Sequence, residues 1–416
     1  MRAEFLSDIE QERSKFDEFG RVRDERFDFK NVPASSGIYA IHPYPAMFHF
    51  LVVRHLISEF SKEGDLVFDP FVGSGVSAGE SLISGRNFWG CDINPLSILI
   101  SKVRTTPLSY DSLLSALQKI INTRIKNFDF VNFKNIDYWF DDYVIYELSK
   151  LRKIIFDIED EKLRRFFLVS FSETVRKVSK ADPSEFKLLR RKKRVSKNVF
   201  SVFKEISLKN IWNLTEFYRR NPPKNSKIVL EEANVLDELP VEDVDLVITS
   251  PPYGDSRTTV AYGQFSRLSL QWLGIDEKVD KTSLGAKPRE ISCDLPSEIL
   301  YTYLEKLRSE DRKRAEEVFS FYFDLFSAVR NISGKVRFGG IVCFVVGNRR
   351  VKGVELPTDK IATDFFKFFG FKHIKTVVRE ISNKRMPSQN SPKNIRGQKD
   401  FTMKYEYIVI LRKDLK

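Results

Sequence analysis

A chain of 416 residues with 42% hydrophobic and 30% charged content is long enough for more than one core, and length alone predicts two or three domains. Three cysteines without a CxxC pair argue against a disulfide scaffold or a structural zinc site and fit a reducing cytoplasm. No run of 18 apolar residues predicts a membrane span, the charged first 25 residues do not read as a signal peptide, and a net charge of +12 points to a polyanionic partner.

Residues 1–38 read as a charged helical lead-in. Residues 41–46 are a proline-punctuated turn, followed over 48–57 by an apolar stretch that predicts a helix packed on a sheet. His42, His49 and His55 fall close together without an H-E-x-x-H spacing; they read as half-buried side chains near that helix, and no metal is expected.

Residues 66–82 have the pattern strand, glycine loop, helix. Gly73 and Gly75 permit a tight turn and a close approach of a ligand to the backbone. A second strand, 87–91, ends at Asp92, 23 residues after Asp69, where a carboxylate can accept hydrogen bonds from ribose hydroxyls. Nicotinamide-binding proteins share this grammar, but here the spacing is G-x-G-x-x-x-G and an Asp-Pro precedes the loop. The Asp69 carboxylate would repel a pyrophosphate and suits an ammonium.

Residues 105–227 interrupt the strand–helix alternation. Apolar residues at i, i+3 and i+4 predict helices over 144–158 and 163–178, with Tyr138, Trp139 and Phe140 before them. From Arg176 to Lys197 ten Lys/Arg oppose two acids, giving +8, and Lys180-Ala181-Asp182-Pro183 reads as a helix stop. Residues 382–404 carry +5, and Arg349, Arg350 and Lys352 add +3. Together these stretches hold +16, which leaves the rest of the chain at about −4. Confined basic excess of this kind is the pattern of a polyanion footprint.

A third strand, 228–230, exits toward Asn234 and Asp237. The fourth, Leu246 to Thr249, is β-branched and apolar, and Ser250-Pro251-Pro252-Tyr253 follows it directly. Two prolines cannot donate to a ladder, so they turn the chain out of the sheet and set Tyr253 beyond a strand's carboxyl end. Open α/β sheets hold their ligands there. A hydroxyl, two free carbonyls and a flat aromatic face form a set suited to a nucleobase. Taken alone, the stretch also fits a strand closed by a Pro-Pro turn. Phe265, Leu268 and Trp272 share a helical face ending at Gly274; residues 275–310 are polar. A helix over 314–332, a fifth strand over 339–348, a helix over 359–369 and strands at 374–378 and 407–411 complete an α/β, doubly wound, mostly parallel sheet with an inserted helical domain.

With both motifs in hand, the chain resembles the S-adenosylmethionine-dependent amino methyltransferases of DNA, and within them the cytosine-N4 group. Asp69-Pro70-Phe71-Val72-Gly73-Ser74-Gly75 is similar to that family's cofactor loop, and Ser250-Pro251-Pro252-Tyr253 to its catalytic tetrapeptide. The first position of that tetrapeptide is Ser in most N4-cytosine enzymes and Asp or Asn in most N6-adenine enzymes. Residues 42–48 are similar to the N-terminal cofactor motif, and 384–392, 402–403 and 406–407 to C-terminal segments.

The resemblance implies a class I methyltransferase-like fold. It also implies a catalytic domain over 39–104 and 228–416, with a basic DNA-binding insertion over 105–227 as the place for target recognition, a role for which the C-terminal basic loop 382–403 competes. It places S-adenosylmethionine against Tyr44, Phe48, Asp69, Pro70, Phe71, Gly73, Ser74, Gly75, Asp92, Ile93, Asn234 and Val235. Asn234 stands where the family usually has Asp on the cofactor's adenine. Catalysis falls to Ser250, Pro251, Pro252 and Tyr253, with Ser250 and the Pro251 carbonyl accepting the N–H groups of a flipped base and Tyr253 stacking on it. No cysteine follows a proline as in carbon-5 methylases, so no covalent intermediate is expected. Expected DNA contacts are Arg176, Lys180, Arg190, Arg191, Lys192, Lys193, Arg194, Arg349, Arg350, Lys384 and Arg385. Implied partners are double-stranded DNA and a cognate restriction endonuclease, for a cytoplasmic monomer or dimer acting at the nucleoid. Adenine-N6 methylation, RNA guanine-N2 methylation, protein glutamine methylation and a non-catalytic nucleic-acid-binding module remain as alternatives.

Overall fold

The computed structural model describes residues 17, 19–182, 187–191, 198–255, 260–275, 279–381, 389–390, 400–401 and 403–414. The strands in chain order are β1 (Arg21–Arg23), β2 (Leu66–Asp69), β3 (Asn87–Asp92), β4 (Ile228–Glu232), β5 (Val244–Thr249) and β6 (Val336–Val346). After these come the two-residue strands β7 (Arg350–Val351) and β8 (Val354–Glu355), then β9 (Phe371–Glu380), β10 (Gln389–Asn390), β11 (Asp400–Phe401) and β12 (Tyr405–Lys413).

Eight of them build one sheet in the order β1-β9-β12-β6-β5-β2-β3-β4. The run from β4 to β6 is parallel, and β12 inserts antiparallel between β6 and β9. The strand order reverses direction at β2, which begins the chain's winding, so a crevice opens at the carboxyl ends of β2 and β5.

The core lies on both faces of this sheet, as parallel strands require. Period-two alternation assigns the faces. Leu246 and Ile248 pack with the helices of one face, whereas Val247 between them packs with Leu325, Val329 and Phe365 of the other; a register shift between Val244 and Leu246 puts Val244 on the Val247 side as well.

The insertion supplies the helices Tyr110–Asn122, Asp142–Phe156, Glu161–Val178 and Val199–Arg220. The last of these is 22 residues long and does not stand out in the sequence. These helices share their apolar cluster with the sheet-flanking helices, so the insertion is fused to the core of the first face. Trp272, fully buried, is the joint: the rings of Phe133, Phe140 and Phe171 meet it edge-on at 6.0, 5.4 and 6.3 Å between centroids.

Residues 19–38 differ from the expected helical lead-in, of which residues 1–16 and 18 lie outside the described residues. Residues 21–23 pair in parallel with β9 at the sheet edge. Arg21 makes a two-pronged ion pair with buried Asp359, at 2.7 and 2.8 Å. A charged sequence forms a strand here because its acidic and basic groups find partners on the sheet edge rather than along a helix. No helix among the described residues is long and apolar enough to cross a membrane.

Candidate active site

Gly75 has φ +80° and stands at the N-terminus of the helix Val76–Ser84, where a Cβ would come within 2.7 Å of the Ser101 side chain. Its role is to let two helices approach, and it does not line the cleft beside it. Gly73, with φ +50°, does line the cleft, and its N–H donates to Asp92 at 2.9 Å.

The loop is held from behind by Arg104, which is fully buried. Its guanidinium donates to the carbonyls of Ser74, Tyr39, Ile41 and His42. One cation therefore ties the glycine loop to the segment that carries Tyr44. Burial brings its pKa down to about 9. Nothing in the sequence pattern singles Arg104 out, because it looks like an ordinary basic residue at the end of a helix.

The cleft between the ends of β2, β3 and β5 spans about 980 Å³ including its open mouth. Tyr44, Phe48, Asp69, Pro70, Phe71, Gly73, Ser74, Asp92, Ile93, Asn234 and Val235 all line it, together with Ser250 and Pro252. The structure thus brings two motifs 180 residues apart to one site. Asn94, Tyr262 and the segment 279–284 also line it and were missed. Asn94 had a legible signal, since Asn before Pro95 starts a helix, and its side chain accepts from Leu96 N while donating to Ser266. Segment 279–284 had none; it follows a polar stretch and closes on Asn234, whose amide donates to the Thr282 carbonyl at 3.3 Å. Tyr262 stacks on Tyr44 at 5.9 Å.

Two carboxylates define the electrostatics. Asp69 is 3% exposed and accepts from Thr249 Oγ1 at 2.6 Å, Ser77 Oγ at 2.5 Å and Phe71 N at 3.1 Å. Burial nevertheless pushes its pKa up to about 6 against those donors. Asp92 is likewise raised to about 6 by burial, opposed by the N–H groups of Asn94 and Gly73 and reinforced by the Asp69 charge. Two acids with apolar walls from Phe71, Ile93 and Val235 suit a cationic ligand that carries a flat ring and ribose hydroxyls.

At the mouth, Ser250 Oγ lies 3.2 Å from the Tyr253 hydroxyl, which donates to Glu406 Oε1 at 3.0 Å. Burial, then the Glu406 carboxylate, keep the phenol well above its ordinary pKa, so it holds its proton. Gly347 backs the Tyr253 ring so closely that a Cβ there would sit 2.7 Å from Tyr253 Cδ2.

The expected DNA contacts that fall among the described residues separate into three groups. Arg176 and Arg349 face inward. Arg176 lies over the Phe265 ring at 3.9 Å and donates to the Phe265 carbonyl; burial lowers its pKa to about 10. Arg349 is 5% exposed and paired with Asp255 at 3.2 Å. Lys180 and Arg191 are half-buried, Lys180 on Asp141 and Arg191 on the Ala181 carbonyl. Arg190 and Arg350 are exposed, Arg190 over the Tyr138 ring at 4.6 Å and Arg350 on the Gly353 carbonyl. Lys192, Lys193, Arg194, Lys384 and Arg385 lie outside the described residues.

His42 is buried between the Pro43 carbonyl and Ser172, and burial lowers its pKa to about 4. Among the described residues no cluster of His, Cys, Asp and Glu could hold a metal ion.

The doubly wound sheet, with an antiparallel β12 inserted beside β6 and a glycine-loop cleft at the switch point, defines the S-adenosylmethionine-dependent methyltransferase class. A family model described as DNA methylase, of the N6/N4 type, matches residues 1–102. The Type II methyltransferase M.MvaI of Kocuria varians is 35% identical over 425 aligned positions, covering 92% of this chain and 93% of that protein. The Type II methyltransferase M.BsoBI of Geobacillus stearothermophilus is 24% identical, covering 80% and 78%. The chain belongs to the Type II DNA methyltransferases of the N4/N6 group, and S-adenosylmethionine is its methyl donor.

Proposed function

We propose that this enzyme methylates the exocyclic N4 amine of a cytosine flipped out of duplex DNA, within a restriction-modification pair whose endonuclease reads the same site. The observation that carries this reading is Ser250 at the head of the tetrapeptide, on the cleft wall and bonded to Tyr253. The family tendency pairs Ser at that position with cytosine.

The residues that would hold the cofactor are those lining the cleft. Asp92 would take ribose hydroxyls, Asp69 would favour the ammonium side, and Phe71, Ile93, Asn234 and Val235 would enclose the adenine. S-adenosylmethionine supplies an electrophilic methyl on a sulfonium. The protein's own work is positioning. An aromatic amine donates its lone pair into the ring, so it reacts only when held in line and biased toward tetrahedral geometry. Ser250 Oγ and the Pro251 carbonyl accept its two N–H groups, while the Tyr253 face receives the ring. Stacking of ~1–3 kcal/mol offsets much of the few kcal/mol needed to extract the base. The insertion over 105–227, with Arg190 and the exposed Tyr138 and Tyr143 on its surface, would recognise the target sequence.

Digestion of modified DNA to nucleosides tests the reading. N4-methylcytosine is the expected product; N6-methyladenine without N4-methylcytosine would overturn it.

A further inference from the structure

The hydroxyl of Ser250 can donate or accept, and its partners decide which. Glu406 sits on β12 directly opposite Arg379 on β9. Arg379, 3% exposed, donates to Glu406 Oε2 at 2.8 Å and pins the carboxylate. The other oxygen, Oε1, can only accept, and it takes the single proton of the Tyr253 hydroxyl at 3.0 Å. The Tyr253 oxygen then has lone pairs and no proton to offer Ser250, 3.2 Å away. Of the two, Ser250 must be the donor.

We infer that Arg379 and Glu406 set a one-way order of hydrogen bonds, Ser250 to Tyr253 to Glu406, so that Ser250 Oγ meets the target amine as an acceptor only. The inference rests on the reading of Ser250 as the group that touches that amine. It makes Glu406 and Arg379 positioning residues that act through Tyr253. An amine with two N–H groups needs two acceptors, and the serine proton, if free, would point a donor at a donor. The network gives a neutral hydroxyl the one-sided character of a carboxylate without adding a third negative charge near Asp69 and Asp92. Arg379 and Tyr253 are 126 positions apart in the chain, and β12, antiparallel between β9 and β6, carries Glu406 to both.

Glu406→Gln tests the polarity while keeping the shape. The Gln oxygen would take the Arg379 donor, and its NH2 would donate to the Tyr253 oxygen. The phenol proton would then turn to Ser250, and the Ser250 proton toward the amine. On unmethylated phage DNA, kcat should fall roughly 10-fold or more, as for loss of one positioned polar group. Calorimetric affinity for S-adenosylmethionine should stay within about twofold. Tyr253→Phe keeps the ring but cuts the relay; it should lower kcat by itself, and adding Glu406→Gln to it should change kcat less than about twofold. A wild-type rate for Glu406→Gln, or an equal loss in both backgrounds, would overturn the inference while leaving DNA methylation intact. A wild-type enzyme that transfers no methyl to DNA would instead remove the functional reading, and the inference with it.

Discussion

Thr249 Oγ1 donates to Asp69 Oδ1 at 2.6 Å, and this bond joins the ends of β5 and β2. Thr249 is the last residue before the tetrapeptide and Asp69 the first of the cofactor loop. The bond therefore fixes the distance between the wall that would hold the amine and the wall that would hold the methyl donor. Both residues are buried, so neither can exchange its partner for water. Thr249→Val keeps the volume and the β-branch but leaves Asp69 one donor short. Stability should fall by about 1–3 kcal/mol, read as a lower midpoint in urea, and S-adenosylmethionine affinity should fall in parallel.

Asp69 and Asp92 both have pKa values raised from 3.8 to about 6 by burial. The folded protein binds their protons more tightly than the unfolded chain does. Their contribution to stability is complete below about pH 4 and is lost as pH rises through about 6. A cationic ligand prefers the ionised pair, so its affinity should run the opposite way and weaken as pH falls through about 6. Calorimetry near pH 6 in buffers of different ionisation enthalpy should show proton release on binding S-adenosylmethionine. Affinity that stays flat from pH 8 to pH 5 would remove these carboxylates from the binding event.

Gly75→Val combines a left-handed φ of +80° with a Cβ 2.7 Å from the Ser101 side chain. The backbone strain alone costs about 1–3 kcal/mol. The variant should lose thermal stability as well as cofactor affinity, because the position packs helices and does not line the cleft. Loss of affinity with an unchanged melting temperature would contradict this placement.

Surface and interior arginines should respond differently. Replacing Arg190 and Arg350 with Gln should reduce the salt slope of duplex binding by about 0.9 for each phosphate that is no longer neutralised. Arg176→Gln should lower stability instead, since that guanidinium serves the Phe265 carbonyl and ring. Filter binding across a salt series, paired with thermal melts, separates the two behaviours.

Trp272→Ala should cost about 3–5 kcal/mol and loosen the insertion from the sheet-flanking helices. Earlier proteolysis within residues 105–227 is the expected readout, and an unchanged pattern would show that the insertion holds its place without this joint.

The amino-acid sequence by itself determined the alternation of strands and helices, the glycine loop, and the exit of the tetrapeptide from a strand. Each follows from interactions within a few residues: period-two burial, the φ freedom of glycine at positions 73 and 75, and the missing N–H of Pro251 and Pro252. Those local rules also place Asp69 and Asp92 at strand ends, which is why the cleft lining was legible. Only the tertiary structure decided that Arg176 and Arg349 turn inward, since an arginine contributes the same charge to a sequence whether it faces a carbonyl or a phosphate. It also decided that residues 21–23 form an edge strand, that Arg104 locks the glycine loop, and that segment 279–284 closes on Asn234. The Tyr253–Glu406 bond spans 153 positions and depends on β12 running antiparallel next to β6, the neighbour of the strand that Tyr253 follows. No local pattern encodes a partner at that separation; the pairing of the strands does, by setting which side chains share a face.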